Sequence, residues 1–305
     1  MESSAQANRT LVGIFMVLVA SVAFSSKAIM VKLAYVYPVN AATLIALRML
    51  FSIPFFIGLI IWMRYSKKTL KLSFNDIGTM LFIGVVTGYG SMWLNFAGLT
   101  YVTAGLERVI LFLYPTIVIL LNSMLHRHQI TKHEIVALIL SYVGVLLVVG
   151  HDLAVPTTAA ENTLLGASLV LGSAITYAFY LVLSGRIIPR IGATLFTAYT
   201  MTIISIASAV HFLLTEDLDL ARHLPLQVYG ISFMIALIAT VLPSIILNMG
   251  IQRLGSNKVS LISSIGPVST IFLAWLILGE PITWLQVAGT ALVLSGVLTI
   301  SLANH

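Results

Sequence analysis

Glu107 and Arg108 are neighbours in GLERVILFLYP, residues 105–115, a stretch that is otherwise apolar. A carboxylate and a guanidinium can hold a proton, a small anion or each other. Lys27 in AFSSKAIMVK (23–32) and Arg48 in LRMLFSIP (47–54) are further ionisable groups inside apolar runs. A charge at the centre of a membrane-spanning helix costs about 2.5–3.5 kcal/mol on insertion scales. Such groups therefore face a wet cavity or one another. Glu107 can neutralise one of the three cations, and the remaining positive charge suits a carboxylate or phosphate group. Glu107 is also the buried carboxylate available to carry a proton. Two readings of the pair stand side by side: substrate contact, or a salt-bridge lock that closes an outer gate. Arg48 has a second reading as a structural brace, and Lys27 can snorkel toward headgroups.

Other groups join this set. In GYGSMWLNFAG (88–98), Tyr89, Trp93 and Phe96 fall on one helical face, and Asn95 is a polar group that must find a partner. An aromatic face can grip a side chain or an ammonium by cation–π contact; packing is the plainer alternative. Tyr114 and Tyr177 add phenols. Pro115 and Pro267 remove a backbone donor within apolar runs, which fits gating or packing better than direct binding. His126, His128 and His133 are spaced too irregularly for a metal site, no phosphate-binding loop of the G-x-x-x-x-G-K-[ST] form occurs, and no cofactor is expected. The absence of cysteine excludes disulfides and thiolate metal sites.

The elements that carry these residues are set by composition. Of 305 residues, 59% are hydrophobic and 9% charged, with a mean hydropathy of +1.04. A soluble domain is about 25% charged. The chain reads as an all-α polytopic membrane protein. Crossing the hydrocarbon core takes about 20 apolar residues. Ten windows qualify: 11–34, 41–63, 75–97, 99–125, 132–150, 164–186, 193–214, 226–249, 256–278 and 283–302. A β-barrel needs alternating segments of about ten residues, and runs such as EIVALILSYVGVLLVVG do not alternate. The first window has no small-residue cleavage site in a plausible place and reads as a transmembrane helix, not a removed signal.

Lysine and arginine orient the chain. With the N-terminus inside, the inner connections receive Arg9, Arg64, Lys67, Lys68, Lys71, Arg127, Lys132, Arg186, Arg190, Arg253 and Lys258. The outer side receives Lys32 and Arg222 together with most of the loop acids. This bias places both termini in the cytoplasm. The net charge of +6 is spread over these loops, so the bilayer and a small molecule are the expected partners, not nucleic acid. At a rise of about 1.5 Å per residue, Lys27, Arg48, Glu107 and Arg108 all lie roughly 10–14 Å below the outer surface.

The chain repeats itself. Gly98, Pro115, Ile130, Thr131, Gly144, Val145 and Leu146 each match a residue 152 places later, from Gly250 and Pro267 to Leu298. The repeats divide the chain into 1–150 and 164–305, joined by an outer linker at 151–163. Each holds five helices, and an odd number inverts the second repeat relative to the first. Inverted halves that exchange conformations around a midplane site are the architecture of alternating access.

On these residues the chain resembles the drug/metabolite transporter superfamily, in its EamA-type branch. AFSSKAIMVK has Phe24 where tryptophan is usual and Lys32 at the family lysine; LRMLFSIP carries the family arginine as Arg48. SSIGPVSTIFLAWLILGEPITWLQVAGTALVLSGVLTI (263–300) matches the repeat-ending pattern, with its turn at Gly279, Glu280 and Pro281. The first repeat departs from it, with His128 and Gln129 in place of glutamate and proline. The resemblance implies ten helices around a central cavity and export of amino acids or related small metabolites. Within that branch the chain resembles the bacterial aromatic amino-acid exporters, which implies a place in the inner membrane. An organic-anion or sugar-phosphate carrier is the alternative. A membrane sensor or scaffold, or an intramembrane enzyme, would be a different class, and no nucleophile–base set within the apolar runs supports an enzyme. A proton is the candidate coupling ion, and ten helices suffice for a working monomer.

Overall fold

Runs of leucine, isoleucine, valine and alanine with few glycine interruptions form helices in apolar surroundings, because a helix satisfies its backbone donors and acceptors internally. The computed structural model describes residues 2–65, 73–126, 130–154, 160–254, 262–263 and 265–303. Among them, eight helices are long and apolar enough to cross a membrane: α1 (Leu11–Ala34), α2 (Ala41–Tyr65), α3 (Phe74–Leu99), α4 (Ala104–Leu125), α5 (Lys132–Gly150), α6 (Asn162–Ile191), α7 (Ala193–Thr215) and α8 (Leu226–Leu247). Two shorter apolar helices follow, α9 (Gly266–Leu278) and α10 (Trp284–Thr299). Part of the window expected at 256–278 lies outside the described residues, as do His128 and Gln129. The helix containing α5 continues to Ala154 and the next begins at Ala160. Of the linker expected at 151–163, residues 155–159 lie outside the described set.

Helix α4 is broken. Its first part ends at Leu111, Phe112 takes ψ 5°, and a helix resumes at Tyr114. Pro115 offers no N–H to the carbonyl of Leu111 and restricts the residue before it. Pro267 stands in the first turn of α9. Helices α3, α8 and α9 each contain a wide π-turn, at Ile83–Tyr89, Leu237–Val241 and Ala274–Leu278. Such turns re-aim side chains and recur at functional sites.

Small residues let helices approach closely. A Cβ on Gly289 of α10 would lie 2.5 Å from the carbonyl oxygen of Gly144 in α5, and one on Gly296 would lie 2.7 Å from that of Ala137. Helices α3 and α6 meet through Ser91 and Ser173, whose hydroxyls donate reciprocally to each other's carbonyls at 3.0 and 2.8 Å. At the far end of α6, Arg190 grips Asp76 of α3 through two bonds of 2.8 and 3.1 Å. Three buried apolar clusters result among the described residues. One gathers Ile29, Leu44, Met49 and Phe96 from α1–α3; a second gathers Leu106, Ile110, Val145 and Val293 from α4, α5 and α10; a third gathers Met80, Ile83, Ile187 and Phe196 from α3, α6 and α7. The outward faces remain apolar, as at Phe15, Trp62, Leu146 and Phe272, which suits contact with lipid.

Candidate functional site

A cavity of about 430 Å³ opens among α1, α2, α3, α4, α6, α7 and α8. Its size is that of a small-molecule site. Lys27, Arg48 and Arg108 reach its wall, with Asn95, Tyr114 and Tyr177. Sequence depth alone had put the three cations at one level; the fold turns them into one space.

Glu107 stands behind that wall. It is fully buried and does not line the cavity. Asn95 joins it to Lys27: the ammonium donates to the Asn95 side-chain oxygen at 2.7 Å, and the Asn95 amide donates to Glu107 Oε1 at 2.6 Å. Lys27 and Glu107 are themselves 3.8 Å apart. The second Glu107 oxygen, Oε2, is buried without a hydrogen-bond partner among the described residues. Glu107 thus compensates Lys27 and leaves Arg48 and Arg108 without a carboxylate partner among the described residues.

Arg48 is nearly buried but well held. Its Nε donates to Thr240 Oγ1 at 2.9 Å, and its guanidinium lies 5.4 Å from the Phe96 ring centroid. Thr240 belongs to the π-turn of α8, and its hydroxyl donates to the carbonyl of Ile235, five residues back. The wide turn is what aims this hydroxyl at α2.

Arg108 is held more loosely. Its Nη2 approaches Ser25 Oγ at 3.5 Å, and its Nε is buried without a partner among the described residues. Gly266 makes room for it: a Cβ there would lie 2.9 Å from Nη2. Beside it stand the tyrosines. The Tyr114 and Tyr177 rings meet edge to face at 5.1 Å, and Tyr177 stacks on Tyr180 at 5.8 Å.

The segment carrying Glu107 and Arg108 starts with its donors satisfied. Thr103 takes the extended N-cap conformation and accepts from Leu106 N at 3.1 Å. Glu280, from the turn after α9, accepts from Ala104 N at 3.0 Å and Gly105 N at 3.3 Å. Gly279 makes that turn at φ 68°, a left-handed conformation that favours glycine. Gly105 leaves room for Gln286: a Cβ would lie 2.0 Å from its Nε2, the end of a flexible side chain. Lys32, on the same side, donates to the carbonyl of Leu99 at 3.1 Å.

The aromatic stripe of α3 splits. Phe96 lines the cavity, whereas Tyr89 and Trp93 do not. The Tyr89 hydroxyl bonds to His211 Nδ1 of α7, and the Trp93 ring packs edge-on to the same imidazole at 6.1 Å. Pro115 and Pro267 lie beside wall residues, Tyr114 and the Gly266 that accommodates Arg108. Residues not foreseen from sequence include Thr240, Ser21, Ser244 and Thr197 on the wall and Glu280 as a cap. Hydroxyls are common throughout the apolar runs, so nothing in the sequence marks these out.

A bundle of apolar helices enclosing a charged, solvent-sized space is the architecture of a multi-pass membrane transporter. Comparison with known proteins supplies the family: the chain belongs to the EamA-like transporter family, whose model matches it twice, over residues 11–150 and 164–302. An uncharacterized transporter of Bacillus subtilis (strain 168), YcbK, is 30% identical over 94% of this chain and 92% of its own length. A probable terminal-alkyne amino-acid exporter of Streptantibioticus cattleyicolor is 39% identical over 20% of each chain. A solved crystal structure shares the fold with a TM-score of 0.66 at 16% identity, covering 97% of both chains.

Proposed function

We propose that this protein is a secondary carrier that exports amino acids or related small metabolites across the bacterial inner membrane by alternating access. The observation that carries the reading is the central cavity, into which Lys27, Arg48 and Arg108 bring positive charge at membrane depth. Charge in such a place is costly and marks a substrate path. In this reading ten helices form two inverted repeats, 1–150 and 164–305, with the 151–163 linker outside and both termini in the cytoplasm. The twofold family match and the shared glycine and proline spacing support the duplication. The helix break before Pro115 and the helix start at Pro267 supply the hinges.

The substrate contacts are Lys27, Arg48, Asn95, Arg108, Tyr114 and Tyr177. Tyr89 and Trp93 are assigned to packing around His211. Glu107, buried and joined to Lys27, is the candidate proton carrier. The partly matching amino-acid exporter supports the amino-acid side of the range. The positive wall favours the organic-anion side. One chain contains the whole cavity, consistent with a working monomer.

The test is uptake into proteoliposomes of labelled neutral, aromatic, acidic and basic amino acids and a sugar phosphate. Each is run with and without a pH gradient, beside Glu107→Gln and Arg108→Ala. Saturable uptake of at least one compound, lost in Arg108→Ala, is expected. Loss of the pH-gradient response in Glu107→Gln assigns the proton to that carboxylate. Absence of transport for every compound would remove the carrier reading.

A further inference from the structure

We propose that the preferred cargo is an organic monocarboxylate with an aromatic-sized apolar body and no charged amine, such as an aryl-substituted 2-hydroxy or 2-oxo acid. The proposal rests on the carrier reading above and names its substrate class.

A zwitterionic amino acid brings two charges into the site. Its carboxylate needs a cation, and its ammonium needs an anion or several acceptors, because an unpaired buried charge is strongly disfavoured. The wall meets the first need; for the second it offers scattered hydroxyls such as Ser21 and Thr197 but no anion among the described residues. Three cations line the cavity, and no carboxylate does among the described residues. Glu107 is the acid nearest in sequence to Arg108, yet it faces away. Its Oε1 is taken by Asn95 and by Lys27, and the chain of contacts places both of these between it and the cavity. An ammonium in the cavity would meet the positive field of Arg48 and Arg108 with no local anion to offset it.

Arg108 is the anchor this arrangement leaves open. Among the described residues its Nε has no partner and its Nη2 makes a single long contact, so its fork of donors is largely uncommitted. A carboxylate takes such a fork through two parallel bonds. Arg48, by contrast, is tied to Thr240 and stacked on Phe96, and contributes its field more than its donors.

The body of the cargo is set by what surrounds the anchor. Tyr114 and Tyr177 form an edge-to-face corner, with Phe24, Phe112, Met201 and Leu247 completing an apolar wall. An aryl ring fits against such faces. The tyrosine hydroxyls have no hydrogen-bond partner among the described residues and can bond a hydroxyl or keto oxygen next to the carboxylate. A phosphate ester such as a sugar phosphate brings a polar body, for which the apolar faces around Arg108 offer no match.

The test uses the full-length protein in proteoliposomes and a matched series on one carbon skeleton, phenyllactate, phenylpyruvate and phenylalanine, with phenethylamine, which lacks the carboxylate, and glucose 6-phosphate beside them. Flux through protein-free liposomes is subtracted. Phenyllactate or phenylpyruvate is expected to show saturable uptake with a half-saturation constant about tenfold or more below that of phenylalanine, and phenethylamine is expected not to compete. Arg108→Gln should weaken the anion about ten- to a hundred-fold, as expected for a lost charge-assisted pair. The wild-type series decides the matter even if that variant folds poorly. Phenylalanine carried as well as or better than its deaminated analogues would overturn the proposal and leave the carrier reading standing, as would glucose 6-phosphate carried in preference. Failure of every compound here and in the wider panel would instead remove the carrier reading.

Discussion

The carboxylate of Glu280 caps the helix that begins at Ala104, although the two residues are 176 positions apart. The open N–H groups and dipole of a helix start favour an anion. This helix carries both Glu107 and Arg108, so the turn of one half of the chain fixes the charged pair of the other. Glu280→Ala should lose about 0.5–2 kcal/mol, the range for removing a helix cap. Glu280→Gln, which keeps an acceptor but no charge, should lose less. Thermal unfolding of the purified protein in detergent, followed by tryptophan fluorescence, reads both. Equal melting temperatures for all three proteins would mean the cap contributes nothing.

The contact between Lys27 and Glu107 makes a different kind of prediction. Removing one member of a buried ion pair leaves the other uncompensated and costs about 3–5 kcal/mol, whereas replacing both by apolar groups can be neutral. Lys27→Met and Glu107→Leu should each destabilise strongly, and the double variant should melt above either single one. Asn95→Leu should destabilise as well, because it removes both bonds of the bridge. Additive losses in the double variant would show that the two charges are not coupled.

The depth of these groups was legible in the sequence, and their direction was not. A fixed rise per residue sets how far Lys27, Arg48 and Arg108 lie along their helices. Which way each side chain points depends on helix rotation, and a helix apolar nearly all round gives no periodic signal for that. Tyr89, Trp93 and Phe96 share the right spacing, yet the first two turn to His211 and the third to the cavity. The wide turn at Ile83–Tyr89 falls just where the stripe begins and changes its rotation. Glu280 and Thr240 were hidden for another reason: their roles are contacts with distant helices. The apolar windows were readable throughout, because length and composition alone decide them.

Glycine positions separate close packing from mere helix content. A Cβ on Gly289 would meet the Gly144 carbonyl at 2.5 Å, and backbone cannot move aside cheaply. Gly289→Ala should part α5 from α10 and lower both the yield of folded protein and the melting temperature. Gly58 and Gly78, on α2 and α3, have open space where a Cβ would go. There alanine should be neutral or stabilising by up to about 1 kcal/mol, from helix propensity. Size-exclusion yield and thermal unfolding of the three variants check the contrast. A tolerated Gly289→Ala would mean the two helices are free to separate.

Arg48 tests whether a buried cation is held by its shape or by its charge. Lysine keeps the charge but has neither the flat face that lies on Phe96 nor the Nε that bonds Thr240. Thr240→Val leaves that Nε buried and unpaired, at a cost of about 1–3 kcal/mol. Phe96→Leu removes the ring beneath the guanidinium, about 0.5–2 kcal/mol on top of the lost packing. Arg48→Lys should therefore destabilise despite the unchanged charge. In the Arg48→Lys background, Thr240→Val and Phe96→Leu should each cost less than in the wild type, since their partner is already gone. Melting temperatures across this double cycle give the coupling directly. If Arg48→Lys melts with the wild type, charge alone keeps the residue in place, and α2 and α8 are held together by other contacts.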